Sequence, residues 1–147
     1  MDFNDIANRT HDEVEAPKAP PQGTWLMRIV SGKTKEAKSD NGPRGRFVFT
    51  LGLVQAGDDV SGEELDDFGS LEGARVYHDI AIWDETSLWS VKRFLMTAGV
   101  EFEEGEPLRD AAARATGHEV TGYVQYRPNE KDPENPYVDV TNIVEAA

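Results

Sequence analysis

The chain has 147 residues, 28 acidic against 15 basic side chains, a formal charge of −13 and no cysteine. Its length suits one domain with a tail, burying roughly two thirds of the surface its unfolded chain would expose. Lack of cysteine excludes disulfides, thiolate metal sites and cysteine nucleophiles, which leaves histidine and carboxylate chemistry and suits a reducing cytoplasm.

The opening stretch MDFNDIANRTHDEVEAP carries neither a basic leader nor an apolar core, and no later apolar run approaches the 18 or more residues of a membrane span. The expectation is a soluble, cytoplasmic protein with no membrane partner. Residues 1–23 close on APKAPPQG, whose prolines cannot continue a helix, so they predict a flexible acidic N-terminal arm ahead of a domain over 24–147.

From Thr24 onward, TWLMRIV, RFVFTLGLV, ARVYHDIAIW, EVTGYVQY and YVDVTNIV are rich in β-branched and aromatic residues and are separated by Gly, Pro, Asn and Asp clusters. They predict five strands. Between the third and fourth, ETSLWSVKRFLMTAG places Leu88, Val91, Phe94 and Leu95 at helical spacing, with Thr86 or Ser87 as N-cap and Gly99 as stop. A shorter helix is expected in PLRDAAARATG, with Pro107 at its first position and Gly117 past its end. Alternation assigns Trp25, Met27, Ile29, Phe47, Phe49, Leu51, Leu53, Val76, Ile80, Ile82, Val120 and Val124 to the core. It leaves Tyr77, Asp79, Trp83, Tyr123 and Arg127 on the opposite side. The fold class this suggests is mainly β, a five-stranded OB-like antiparallel barrel with a helix between strands 3 and 4. A β-sandwich is the rival, though it ordinarily needs about seven strands.

Charge is unevenly spread. Arg28, Lys33, Lys35, Lys38, Arg44 and Arg46 face only Glu36 and Asp40 within residues 28–46, whereas residues 58–72 hold seven acids and no base. The stretch KTKEAKSDNGPRGRF has turn chemistry at its centre and reads as a flexible basic hairpin connection that can follow a phosphate backbone. Tyr77, Trp83 and Tyr123, with Arg28, Arg75 and Arg127 near them in their strands, have the composition of a platform on which bases stack at roughly 1–3 kcal/mol each. Each feature has an ordinary alternative: a solubilising hairpin tip in the first case, rings covering the core under the helix or the acidic loop in the second.

In the acidic segment, Leu65 and Phe68 with Asp66 and Asp67 could anchor a protein partner. That is the second class of reading, an acidic protein-binding module such as a virion component or an inhibitor of a host protein. A third, a metal-dependent hydrolase, would use His78 and His118 with Asp79, Asp84 or Glu119. No HExxH, phosphate-binding glycine loop, nucleophile elbow or dinucleotide fingerprint occurs, so neither a cofactor nor catalysis is expected. Exposed strand edges leave a homo-oligomer open.

The order of residues also resembles a family. An acidic N-terminal segment, then PPQGTWLMRIV, AKSDNGPRGRFVFTL, LEGARVYHDIAIW, LWSVKRFLMTAGV and GHEVTGYVQYRP, over roughly residues 20–144, resemble the phage-encoded OB-fold single-stranded-DNA-binding proteins. The resemblance implies a replication or recombination accessory in the host cytoplasm that coats single strands, with Lys33, Lys35, Lys38, Arg44 and Arg46 on the basic hairpin. Recruitment of replication or recombination proteins through acid would then fall to residues 58–72.

Overall fold

A computed structural model of the protein describes residues 2–10, 18–37 and 40–146. In chain order the elements are α1 (Phe3–Ala7), β1 (Gly23–Glu36), β2 (Gly45–Ala56), α2 (Gly62–Phe68), β3 (Arg75–Ile82), α3 (Glu85–Thr97), α4 (Leu108–Ala113), β4 (Glu119–Arg127) and β5 (Tyr137–Glu145). The five strands form one antiparallel sheet in the order β3-β2-β1-β4-β5. The fold is mainly β, and α3 stands between strands 3 and 4 as expected.

At the centre, β1 pairs with β2 from Trp25↔Ala56 to Glu36↔Gly45, but with β4 only from Gly23↔Val124 to Arg28↔Glu119. The register shifts between Ile29 and Ser31, so Val30 is an extra residue that bends the strand where it leaves β4. Its second effect is on facing. Trp25, Met27 and Ile29 point into the core before the bulge and Gly32 does so after it, which sends Ser31, Lys33 and Lys35 outward.

The inner face is packed as alternation predicts. Trp25, Met27, Ile29, Phe49, Leu51, Val120 and Val124 are fully buried together with Val91 and Leu95 of α3 and Ala111 and Ala112 of α4. Phe94 closes on Phe49 with ring centroids 4.5 Å apart. Trp25 Nε1, the one polar atom of that side chain, donates to Pro21 O at 2.9 Å. Pro20 O accepts from the Tyr126 hydroxyl at 2.7 Å, and Gln22 Oε1 from Tyr126 N at 2.8 Å. Residues 20–22 are therefore fastened to the sheet ahead of Thr24.

Two expectations need correction. Asp84, rather than Thr86 or Ser87, caps α3: its carboxylate accepts from Ser87 N at 3.0 Å and from the Ser87 hydroxyl at 3.1 Å, and these bonds hold its pKa below the ordinary carboxylate range. Nor does the sheet close into the expected barrel. The outer strands β3 and β5 approach each other, but no ladder joins them, and α3 lies over the seam in contact with both. A groove lined by His78, Phe94 and residues 140–143 occupies that seam, and the left-handed backbone of Asn142, φ 50°, interrupts β5 there.

Candidate nucleic-acid interface

The outward face of β1, β2 and β3 carries alternate residues of each strand. Across the sheet, Ser31, Thr50 and Tyr77 occupy one level, then Lys33, Val48 and Asp79, then Lys35, Arg46 and Ala81. One step further the ladder ends, and Arg44 N donates to Ile82 O at 2.7 Å, which sets Arg44 across from Trp83. Lys33, Lys35, Arg44 and Arg46 are exposed, and none is ion-paired among the described residues. Tyr77 and Trp83 are 59% and 57% exposed at the two ends of this field, about 20 Å apart along β3.

Lys35 lies directly opposite Arg46 on adjacent strands. Like charges directly opposite one another destabilise a sheet, so the arrangement costs the free protein stability that an anion lying across it would return.

The acidic residues collect at the other end of β1. Asp59 accepts from Thr24 N at 2.9 Å and from the Thr24 hydroxyl at 2.8 Å, and these bonds hold its carboxyl below the ordinary range. Thr24 and Lys33 are nine positions apart in β1, about 30 Å, or several Debye lengths at physiological salt. The acidic segment contains α2. Ser61 Oγ accepts from Glu64 N at 3.3 Å, and Glu63 and Glu64 in the first turn match the positive end of the helix dipole. Leu65 packs on the core and Phe68 is half-buried, whereas Asp66 and Asp67 are exposed. Leu65 thus holds the helix down, whereas Phe68 lines two surface grooves beside Tyr77.

The remaining candidates separate. Lys33 and Lys35 belong to β1 rather than to a flexible connection, because the ladder runs on to Glu36↔Gly45 with Thr34 and Phe47 opposed beneath. Lys38 lies outside the described residues. Arg28 is bound to Glu119 at 3.1 Å, and Arg127 to Asp139 at 2.9 Å, with its guanidinium 4.5 Å from the Tyr137 ring centroid. Arg75 is exposed and lines a groove with Tyr77, Tyr126 and Tyr137. Tyr123 faces outward opposite Thr24 and Thr141, at the acidic end of β1, and Tyr77 shares its groove with Glu64 and Asp67 of α2, so of the three proposed stacking rings Trp83, across from Arg44, stands nearest the cations. Arg109 of α4 joins Lys35, Arg44 and Arg46 around a second groove, which Glu36 and Asp110 also line. Only the fold reveals this residue as a neighbour of the hairpin.

His78 and His118 have structural positions. His78 faces inward opposite Phe49, its ring 5.1 Å from Phe94, while His118 Nδ1 lies 3.0 Å from Ala98 O. Among the described residues, no three His, Asp or Glu side chains gather as a metal ion would require. Burial pushes the His78 pKa below its ordinary value, opposed by the neighbouring Asp79 carboxylate. Because the unfolded chain then binds the proton more readily, stability rises with pH across this window. We therefore expect stability to decline as pH falls below about 6.5, and His78→Phe to flatten that part of the curve, measured by urea unfolding between pH 7 and 5.

No family model matches the chain, and no curated protein matches it significantly. No helix among the described residues is long and apolar enough to cross a membrane.

Proposed function

We propose that the protein binds single-stranded DNA with little sequence preference, as a non-catalytic accessory of phage replication or recombination, through the outward face of β1, β2 and β3. The observation that carries this reading is the field of Lys33, Lys35, Arg44 and Arg46 on one face, with no ion pair among the described residues, between Tyr77 and Trp83. Lys33 and Lys35 are two positions apart on one strand, a spacing of about 7 Å, so that an extended strand can set successive phosphates over them. Stacking on Tyr77 and Trp83 adds affinity that is sequence-tolerant, because every base has a π face. The sheet, open between β3 and β5 with α3 over the seam, is read as an OB-like arrangement of strands that stops short of a closed barrel.

Tyr77→Ala and Trp83→Ala are each expected to weaken binding to poly-dT roughly tenfold, as loss of about 1–3 kcal/mol of stacking requires. Fluorescence anisotropy measures this directly. Tryptophan emission supplies a second check: DNA should quench the wild-type protein, and Trp83→Phe should remove most of that quenching. Tyr123→Ala should bind as the wild type does.

A further inference from the structure

On the other side of the molecule, α3 lies over the inner face of the sheet with Val91, Phe94 and Leu95 buried. With 3.6 residues per turn, the opposite face of this helix presents Glu85, Trp89, Lys92, Arg93 and Met96, all exposed. Trp89 is 53% exposed, and Phe102, in the loop after the helix, extends the apolar surface beside it. Lys92 Nζ lies 5.9 Å from both ring centroids. This loop is preformed: Arg114 clamps Glu106 through two bonds of 2.7 Å and donates to Glu101 O at 2.8 Å. Nothing in the DNA reading uses the patch.

Charge along the helix specifies an occupant. The acid, Glu85, is at the N-terminal end and the bases, Lys92 and Arg93, are toward the C-terminal end, with Trp89 midway between Glu85 and Arg93. A surface of this kind is complementary to itself when turned end for end. We infer that α3 is the interface of a two-fold homodimer, in which antiparallel helices cross at Trp89 and Glu85 of each copy faces Arg93 of the other. Such an isologous contact buries the indole pair at its centre and leaves the salt bridges at its rim. The outward faces of both sheets remain open, since they lie across the core from α3. The net charge of −13 on each copy opposes association at low salt, so the dimer strengthens as salt screens that repulsion.

Sedimentation equilibrium of the full chain at about 0.15 M salt, from micromolar to several hundred micromolar, tests this. The mass should climb from 16.3 kDa toward twice that value. Trp89→Glu should stay monomeric with an unchanged circular dichroism spectrum. Glu85→Arg should shift the midpoint at least about tenfold to higher concentration, the effect of roughly 1.4 kcal/mol, and the double variant Glu85→Arg, Arg93→Glu should restore it. A mass of 16.3 kDa at every concentration, wild-type association by Trp89→Glu, or a charge swap that restores nothing would each overturn the inference. None of these outcomes bears on DNA binding, which poly-dT anisotropy reads separately.

Discussion

Reversing Lys33, Lys35, Arg44 and Arg46 to glutamate is expected to lower affinity for a poly-dT strand by at least about 100-fold at low salt, since the phosphate contacts supply most of the affinity. The melting temperature should move by only a few degrees, because exposed substitutions away from special features usually change stability by about 0.5 kcal/mol or less. The change also exchanges one like-charged pair at Lys35↔Arg46 for another. A single reversal separates specific from general damage. In Lys35→Glu the new carboxylate faces Arg46, turning repulsion into attraction, so the protein should melt slightly higher while binding DNA less tightly. Differential scanning calorimetry beside anisotropy reads both quantities. Loss of stability together with loss of binding would mean that the cations serve the fold instead.

The largest expected effect on stability lies between those same cations. Gly32 sits under α4, where an added Cβ would collide with the backbone carbonyl of Ala112 and lie 2.9 Å from the Phe49 ring. A backbone carbonyl cannot swing aside as a side chain can, so the helix itself must lift. We expect Gly32→Val to cost about 3 kcal/mol, the upper end of ordinary overpacking, and to lower the melting temperature by about 10 °C. At Gly42 a Cβ would meet nothing within 4 Å, and Gly42→Ala should melt as the wild type does. Thermal unfolding followed by circular dichroism distinguishes the two.

Much of the architecture is legible in the sequence because two local rules act without competition. Period-two alternation in TWLMRIV and RFVFTLGLV finds the core, and the helical spacing of Val91, Phe94 and Leu95 finds α3. What escapes depends on distant partners. Lys33 and Lys35 read as loop residues since nothing local says that Val48 and Arg46 will pair with them, and the Val30 bulge that turns them outward has no signature in composition. His78 stands in an alternating row whose inner position it takes because Phe94, sixteen residues on, supplies an apolar wall. Tyr123 shares residue type and facing with Tyr77 but lies at another level of the sheet, a distinction set by register between β1 and β4. The acidic segment reads as loop because its charges dominate, although Ser61 three residues before Glu64 carries a capping signal for α2. Where β3 and β5 meet, strand count and order suit a barrel, and only the geometry of Asn142 and α3 shows a seam without a ladder.

Counterion release gives DNA binding by this face a measurable signature. Four cations contacting phosphates of a single strand should release counterions with a slope of log affinity against log salt near −3, at about 0.7 per phosphate. The most direct measurement is anisotropy of a labelled poly-dT strand of about thirty nucleotides, titrated with the protein from about 50 to 200 mM salt. An affinity that falls about fifty-fold over that range is the result expected of this face. Absence of binding at the lowest salt, or binding indifferent to salt, would contradict it.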